Sequence, residues 1–387
     1  MNILLLSGWY PNKHDLGDGI FVQKHAELIA EKQNLVVLTI IEDALIRNEK
    51  RLFEINKRDK LTEIIAYYKP PKSNNFLSKG YKYLRYLKTA WKGYHIAYKL
   101  LDNKIDLIHL NIAFPAGIAA LFLYYFKNIN YVLTEHWTGY IDRNDHYSNA
   151  GFFKKAIIKK VFHHASAISV VSKYLGEQIK ARGLIKKEYK VIPNVVEIPK
   201  KLPVSTSNAT LKIISISDLR DDTKNISTLL HAIQVIRIPY PSIELHIFGA
   251  GKDERKLKQL ATDIGILDKH VFFRGFLPYA ELVRFMQKAS FFVLNSNVET
   301  FSVATAEAIG NGLPVVVTKS GAVEEYINEE NGILVELNDL ESLSFGILKM
   351  IKQYKNYDKT KLNNYIREKF NSKNIAQQFE QLYQQSI

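Results

Sequence analysis

Residues 291–318 read FFVLNSNVETFSVATAEAIGNGLPVVVT. The stretch opens on FFVLNS (291–296) and closes on PVVVT (314–318), two short apolar runs of the kind that form strands buried on both faces. Between them, SVATAEAIGN (302–311) favours a helix. Ser302 is placed to cap its start, and Gly310-Asn311-Gly312 to end it. Strand, helix and strand in that order predict a βαβ unit, and therefore a parallel sheet flanked by helices. NVET (297–300) becomes the loop leaving the carboxyl end of the first strand.

The same alternation runs outward in both directions. NILLL, LVVLTI, YVLT and AISVVS recur among helical patterns in the first half, and KIISIS and IELHIF in the second. No internal repeat of solenoid period is present. The segment IPNVVEIPKKLPVSTSNAT (192–210) is rich in proline, serine and threonine, and a fresh strand starts at Lys212. This reads as a linker between two α/β domains. The expected organisation is a Rossmann-like domain over 1–195, a linker over 196–210, a second Rossmann-like domain over 211–370, and a C-terminal helix over 371–387 packing back toward the first domain. Two such domains would face each other across a cleft lined by the carboxyl ends of both sheets, where ligands of such sheets bind.

Composition narrows the class. The chain has 387 residues, 47% of them hydrophobic, which suits two globular domains and excludes a disordered chain. It has no cysteine, which excludes disulfides and thiolate metal sites and fits a reducing compartment. MNILLLSGWYPN has no basic region and too short an apolar run for a signal peptide, so it is expected to form a first buried strand. LIHLNIAFPAGIAALFLYYF (107–126) is long and uncharged enough to span a bilayer. His109, Asn111, Pro115 and Gly117 punctuate it, so a strand followed by a helix fits better. The formal net charge of +14 calls for an anionic partner: nucleic acid, a phosphorylated substrate or acidic lipid.

The opening stretch carries two carboxylates in otherwise small and apolar surroundings. Glu299 falls in the loop, and Glu307 falls about one and a half turns into the helix. The helix N-terminus between them presents unpaired N–H groups and a positive dipole end, which suit a phosphate. Carboxylates suit neutral polyols, because each accepts two hydroxyl hydrogen bonds at once. A phosphate group between two diols describes a nucleotide sugar.

NSNVETFSVATAEAIGNGLPVVVTKSGAVEE resembles the signature of family 4 retaining glycosyltransferases of the GT-B fold, in which Glu, seven residues and Glu precede a Gly-x-Pro-Val-Val strand. The resemblance covers essentially the whole chain. It is densest over 212–330 and thinner over the first 200 residues. It implies a donor-binding second domain and an acceptor-binding first domain. Glu307 would hold the nucleotide ribose and Glu299 would contact the donor sugar, with the backbone of Thr300, Phe301 and Ser302 facing the diphosphate. FGAGKDE (248–254) resembles the family's glycine turn, which makes Gly249 and Gly251 donor-site residues. FFRGFLPYAEL (272–282), with Arg274, resembles the segment bordering the base. Lys224, in DLRDDTKN, stands at the place of the phosphate-binding lysine, where it would neutralise charge on the leaving diphosphate. Two positions depart from the pattern. Asp218 and Leu219 stand where the family has a Gly-Arg-Leu run, leaving Arg220 as the nearest substitute. Ser302 stands where glycine is usual.

In the first half, GDGIFVQKHAELIA (17–30) sets Gly17 and Gly19 at the start of a helix, where the family has a loop over the leaving phosphate. YVLTEHWTGY ends a strand with His136, which the resemblance places near the donor sugar. Residues 64–101 contain no acid, eight Lys or Arg and nine aromatic residues. Cations interleaved with Tyr and Trp at helical spacing suit an anionic bilayer surface, with Lys79, Lys82, Arg85, Lys88 and Trp91 as the contacting set. FFKKAIIKKVFHH (152–164) adds a second basic, apolar helix.

The expected function is retaining hexosyl transfer from a nucleotide diphosphate sugar, a substrate rather than a cofactor, to a hydroxyl of a lipid-linked saccharide during bacterial cell-surface glycan assembly. The enzyme would be cytoplasmic and peripheral on the inner face of the membrane. No Asp-x-Asp motif follows a strand, so no obligatory metal is expected, and no nucleic-acid-binding pattern accompanies the basic window. The alternatives are a GT-B nucleotide-sugar epimerase and a non-catalytic basic module binding membrane or RNA.

Overall fold

The computed structural model describes residues 1–46, 51–58, 60–71, 76–199, 202 and 210–386, without the side chains of 76, 77 and 79. Most of the expected linker, and the side chain of Lys79, therefore lie outside the described residues. The chain divides into two compact units. One contains Met1–Tyr140, Asp145–Val195 and Ser372–Ile387, and the other Ile141–Asn144 and Val196–Asn371.

The first unit contains β1 (Asn2–Ser7), α1 (Ile20–Ala30), β2 (Asn34–Glu42), β3 (Arg51–Arg58), β4 (Leu61–Tyr68), α2 (Phe76–Leu100), β5 (Leu107–Asn111), α3 (Gly117–Lys127), β6 (Tyr131–Glu135), α4 (Phe152–His164), β7 (Ala167–Val170), α5 (Lys173–Ala181) and β8 (Lys190–Val191). Its sheet runs β3-β4-β2-β1-β5-β6-β7-β8. All pairings are parallel except that of β3, which lies antiparallel on β4. β3, RLFEINKR, is an edge strand with charged side chains, a composition that discourages further pairing. Residues 107–126 fold as β5 and α3, and among the described residues no helix is long and apolar enough to cross a membrane.

The second unit contains β9 (Lys212–Ile216), α6 (Asp221–Lys224), α7 (Ile226–Ile236), β10 (Glu244–Phe248), α8 (Glu254–Asp263), β11 (Val271–Gly275), α9 (Tyr279–Met286), β12 (Phe291–Leu294), α10 (Val303–Gly310), β13 (Val315–Thr318), β14 (Gly332–Val335), α11 (Leu340–Gln353) and α12 (Lys359–Lys369). Its strands are all parallel and ordered β11-β10-β9-β12-β13-β14. Numbered within the unit this is 3-2-1-4-5-6, the doubly wound order of a Rossmann sheet. Ile213, Leu245, Phe291, Val293 and Val316 fill its centre, covered by α7 and α11 through Leu230, Ile233, Leu343 and Ile347.

The last helix, α13 (Ser372–Gln384), belongs to the first unit. Ile375, Phe379 and Leu382, spaced for one helical face, are buried there with Ile3, Val22, Ile29 and Val132.

Candidate active site

The order of the second sheet reverses between β9 and β12. Ligands of such folds bind outside the carboxyl ends of the strands at that point. The loop after β12 is stitched to the loop after β9. Asn297 N donates to Thr223 O (2.8 Å), and Asn295 Nδ2 donates to Asn225 O (2.9 Å). This seam brings together two residues 75 positions apart. Lys224 Nζ lies 2.5 Å from Glu299 Oε1, and Ser296 Oγ donates to the same oxygen at 2.6 Å. The Lys224 and Glu299 side chains are only 17% and 9% exposed, so solvent screens the pair far less than a surface ion pair. Oε2 of Glu299 accepts no hydrogen bond among the described residues. The pair thus offers an ammonium with protons to spare for an anion, and a carboxylate oxygen open to a hydroxyl.

β13 leaves the sheet beside this loop and fixes its backbone. Glu299 N donates to Ser320 O (2.8 Å), and Thr318 Oγ1 donates to Ser296 O (2.5 Å). The chain then enters α10 through Ser302, and here the sequence expectation fails. Ser302 does not cap the helix. It lies in the left-handed region (φ 64°, ψ 78°), and its hydroxyl pairs with Thr305 Oγ1 at 2.8 Å instead of a backbone N–H. A capping serine needs an extended backbone. The left-handed conformation costs a non-glycine residue about 1–2 kcal/mol, which explains why glycine suits this position in the family pattern. Thr300 is half-buried, and the buried Phe301 ring packs on Tyr326 and Phe370.

Glu307 is half-buried on α10. Burial, then the Glu307 charge, holds the Tyr279 phenol well above its ordinary pKa. Tyr279 Oη itself donates to Glu197 O (2.6 Å).

The glycines named from the sequence bring loops together at the same end of the sheet. Gly249 has φ 132°, and a Cβ there would fall 1.8 Å from Ser217 O. A Cβ at Gly251 would fall 2.6 Å from the Leu219 carbonyl group. Only glycine lets the turns after β9 and β10 touch in this way. Arg220, the substitute for the missing arginine, donates from Nε to Asp218 Oδ2 (2.5 Å), with both side chains close to half exposed. Arg274 is exposed at the end of β11. It lies over the Phe272 ring (4.9 Å), and its Nε donates to His246 Nδ1 (3.1 Å).

In the first unit, the equivalent reversal lies between β1 and β5. Gly17 N donates to Asp15 Oδ1 (2.8 Å) in the loop after β1. Gly19 has φ 62°, and a Cβ there would fall 2.4 Å from the Trp9 backbone, so α1 starts flush against that loop. His136 follows β6 and is buried. Its Nε2 lies 3.1 Å from Asn111 Oδ1, and its ring packs on Phe21 at 4.7 Å. Burial, with His25 and His109 nearby, holds its pKa well below 6.5, so the ring is neutral. With Asn111 Oδ1 accepting from Nε2–H, Nδ1 is a lone-pair acceptor with no partner among the described residues.

One organising residue was not singled out from the sequence. The buried Glu135 carboxylate accepts from the His136 and Trp137 N–H groups (2.9 and 3.0 Å), from Ala113 N (2.9 Å) and from Tyr140 Oη (3.2 Å). The only signal for it is an acid closing an otherwise apolar strand.

The basic window divides between β4 and α2. Trp91 does not stand out as an anchor. It is half-buried, packed on Tyr94, His95 and Phe122, with Lys127 Nζ 5.0 Å from its ring centre. Lys82 pairs with Glu42, and Arg85 Nη1 donates to Lys69 O (2.6 Å). Lys88 is exposed. Exposed apolar groups of α4 and α2 include Phe152 and Phe153, 89% and 57% exposed, with Tyr81 and Leu84. Phe153 touches Tyr83 (ring centres 5.3 Å apart). Among the described residues, no group of three or more His, Asp or Glu side chains is placed to hold a metal ion.

Comparison with known proteins bears on the family and the fold. Residues 50–199 match the family described as Glycosyltransferase Family 4, and residues 198–369 match Glycosyl transferases group 1. The uncharacterized glycosyltransferase MJ1178 of Methanocaldococcus jannaschii is 26% identical over 70% of this chain and 72% of its own. A GDP-mannose-dependent monoacylated alpha-(1-6)-phosphatidylinositol monomannoside mannosyltransferase of Corynebacterium glutamicum is 23% identical over 50% of this chain and 55% of its own. HepE of Anabaena, solved in complex with UDP-glucose, superposes with a TM-score of 0.73 at 16% identity, covering 98% of each chain. Two Rossmann-type units and these matches define a glycosyltransferase with the GT-B fold. The chain belongs to the family 4 glycosyltransferases.

Proposed function

We propose that the protein transfers a hexose, with retention of anomeric configuration, from a nucleotide diphosphate sugar to a hydroxyl of a lipid-linked saccharide in bacterial cell-surface glycan assembly. The observation that carries this reading is the Lys224–Glu299 pair at the reversal point of the second sheet, beside the N-terminus of α10. The ligands named for two similar proteins, UDP-glucose for HepE and GDP-mannose for the C. glutamicum enzyme, support a nucleotide-sugar donor. The latter's phosphatidylinositol mannoside supports a lipid-linked acceptor.

In this reading Glu307 accepts the ribose hydroxyls, and Glu299 Oε2 accepts hydroxyls of the donor sugar. Lys224 and the first N–H groups of α10 take up charge as the diphosphate leaves. The acceptor oxygen attacks C1 on the face the diphosphate is leaving. The new C–O bond forms as the C1–O phosphate bond breaks, and the departing phosphate oxygen takes the acceptor's proton. The protein supplies orientation and charge stabilisation.

Glu307→Gln keeps the shape of the side chain and removes its charge. It is expected to weaken UDP or GDP binding by about 1.5–3 kcal/mol, the range for charge-assisted hydrogen bonds. Calorimetric titration checks this, and unchanged affinity would remove Glu307 from the site.

The first unit would dock on anionic lipid through exposed Phe152, Phe153 and Leu84 with Lys88 and Lys92, both exposed on α2. Each basic side chain near such a surface contributes about 1 kcal/mol, and aromatic side chains add interfacial burial. A Phe152→Ser, Phe153→Ser, Lys88→Glu, Lys92→Glu variant should lose most co-sedimentation with phosphatidylglycerol vesicles. Equal binding by variant and wild type would make this an ordinary solvated surface.

A further inference from the structure

We infer that Tyr326 is a positioning residue of the donor site: its hydroxyl holds the left-handed turn at Ser302 that aims the N-terminus of α10. This inference rests on the donor-site reading above. It concerns a residue 19 or more positions beyond the glutamate pair and its intervening loop, outside the pattern that marks the site in the sequence.

Tyr326 follows a short 3-10 turn (Ala322–Glu325) after β13 and is 3% exposed. Its single hydroxyl proton faces two carbonyl oxygens, Phe301 O at 2.9 Å and Ser302 O at 3.1 Å. These are the carbonyls of the two peptide groups on either side of the left-handed Ser302. The ring is held by Phe301 and Phe370, with centres 5.9 and 5.5 Å away. The Tyr326 backbone is held as well, because its carbonyl accepts from Asn331 Nδ2 (2.9 Å) and Tyr365 Oη (2.8 Å). The hydroxyl is therefore a fixed point rather than a rotor.

The same short segment grips Glu299. Glu299 N donates to Ser320 O (2.8 Å), and Ala322 N donates to Glu299 O (3.3 Å). Residues 320–326 thus reference the carboxylate and the helix N-terminus to each other. Without the hydroxyl, the Ser302 carbonyl loses the donor that fixes it, and the Ser302–Thr305 pair within α10 does not tie the turn to the segment after β13. The turn would relax toward an extended cap, and the N–H groups at residues 302–304 would rotate away from the direction in which the diphosphate binds. Burial and the nearby Glu299 charge keep the phenol protonated, so it remains a donor across the working pH range. Tyr326 touches no reacting atom in this account and acts through the turn.

A double-mutant cycle separates positioning from bulk stability. Tyr326→Phe, Ser302→Gly and the double variant are titrated with UDP and GDP, and their melting temperatures are recorded. Glycine holds a positive φ unaided, so the two residues should be coupled. In the wild-type background, Tyr326→Phe should weaken nucleotide binding about tenfold or more. In the Ser302→Gly background the same change should weaken it about threefold or less. Tyr326→Phe binding with wild-type affinity, or an equal loss in both backgrounds, overturns the inference even if the melting temperature falls. If Tyr326→Phe does not fold, Tyr365→Phe, which removes one bond to the Tyr326 carbonyl, should weaken binding a few-fold. Unchanged affinity in that variant overturns the inference too. A wild type that binds neither nucleotide removes the donor-site reading itself, which is a separate result.

Discussion

Glu299→Gln is expected to lower turnover on the order of a hundredfold and to leave nucleotide affinity nearly intact. Glutamine is isosteric and still accepts from Ser296, so the loop keeps its shape. What it loses is charge. Oε1 now receives the Lys224 ammonium at 2.5 Å, and Oε2 is open to a donor-sugar hydroxyl. In the proposed reaction a carboxylate at this place would stabilise positive charge growing at C1 and orient the ammonium that meets the leaving diphosphate. An amide does neither. The effect should therefore fall on kcat rather than on the nucleotide dissociation constant. The opposite division, weakened nucleotide binding with normal turnover, would assign Glu299 to the ribose and exchange its role with Glu307. Steady-state transfer and donor-hydrolysis rates, with calorimetric affinities for UDP and GDP, make the distinction.

The second large effect is on stability against pH, and it arises in the first unit. His25, His109 and His136 are all buried. Burial lowers His25 to about 4 and His109 to about 3, and it holds His136 well below 6.5. Above pH 6.5 these rings are neutral whether the chain is folded or not, so stability is fully present. Below 6.5 the unfolded chain takes up protons that the folded chain refuses. Stability then falls by about 1.4 kcal/mol per pH unit for each histidine. For His25 alone this amounts to about 3 kcal/mol by pH 4. Asp18, raised to about 6 by burial and Asp15, and Glu135, raised by burial, work in the opposite direction and offset part of the loss. A carboxylate such as Asp106, held low chiefly by its bond with Lys104, matters only under more acid conditions. Thermal unfolding should therefore shift downward between pH 7 and 5, and His25→Gln should flatten that slope by about one proton. A melting temperature that is flat over this range, or a slope the substitution does not change, would contradict the neutral histidine cluster.

Much of this was legible in the sequence because it depends on local pattern. Short apolar runs such as IELHIF and PVVVT become strands with few alternatives, and their alternation with helices forces parallel pairing. The glycines at 249 and 251, set directly after an apolar run, mark a close approach of backbones by their residue type alone. The spacing of Ile375, Phe379 and Leu382 already marks one buried face. What stayed hidden is decided by tertiary closure. β3 was missed because RLFEINKR alternates weakly and is charged, as befits an edge. Ser302 has the composition of a cap, but its conformation is set by Tyr326, 24 residues later. Trp91 sits in a basic stripe that reads as interfacial. Only the packing of α3 against α2 turns it onto Phe122. The Lys224–Glu299 pair depends on two loops meeting at the reversal of the sheet, and no local pattern in either loop encodes the other.

The most direct test of the central claim is a panel of nucleotide diphosphate sugars, scored for binding and for slow hydrolysis without acceptor, with wild type and the Glu299→Gln and Glu307→Gln variants side by side. One donor should be bound and hydrolysed by the wild type. Glu307→Gln should bind it more weakly, and Glu299→Gln should bind it but turn it over on the order of a hundredfold more slowly. A wild type that binds no nucleotide sugar, or variants that both hydrolyse the donor at the wild-type rate, would contradict the assignment of this site.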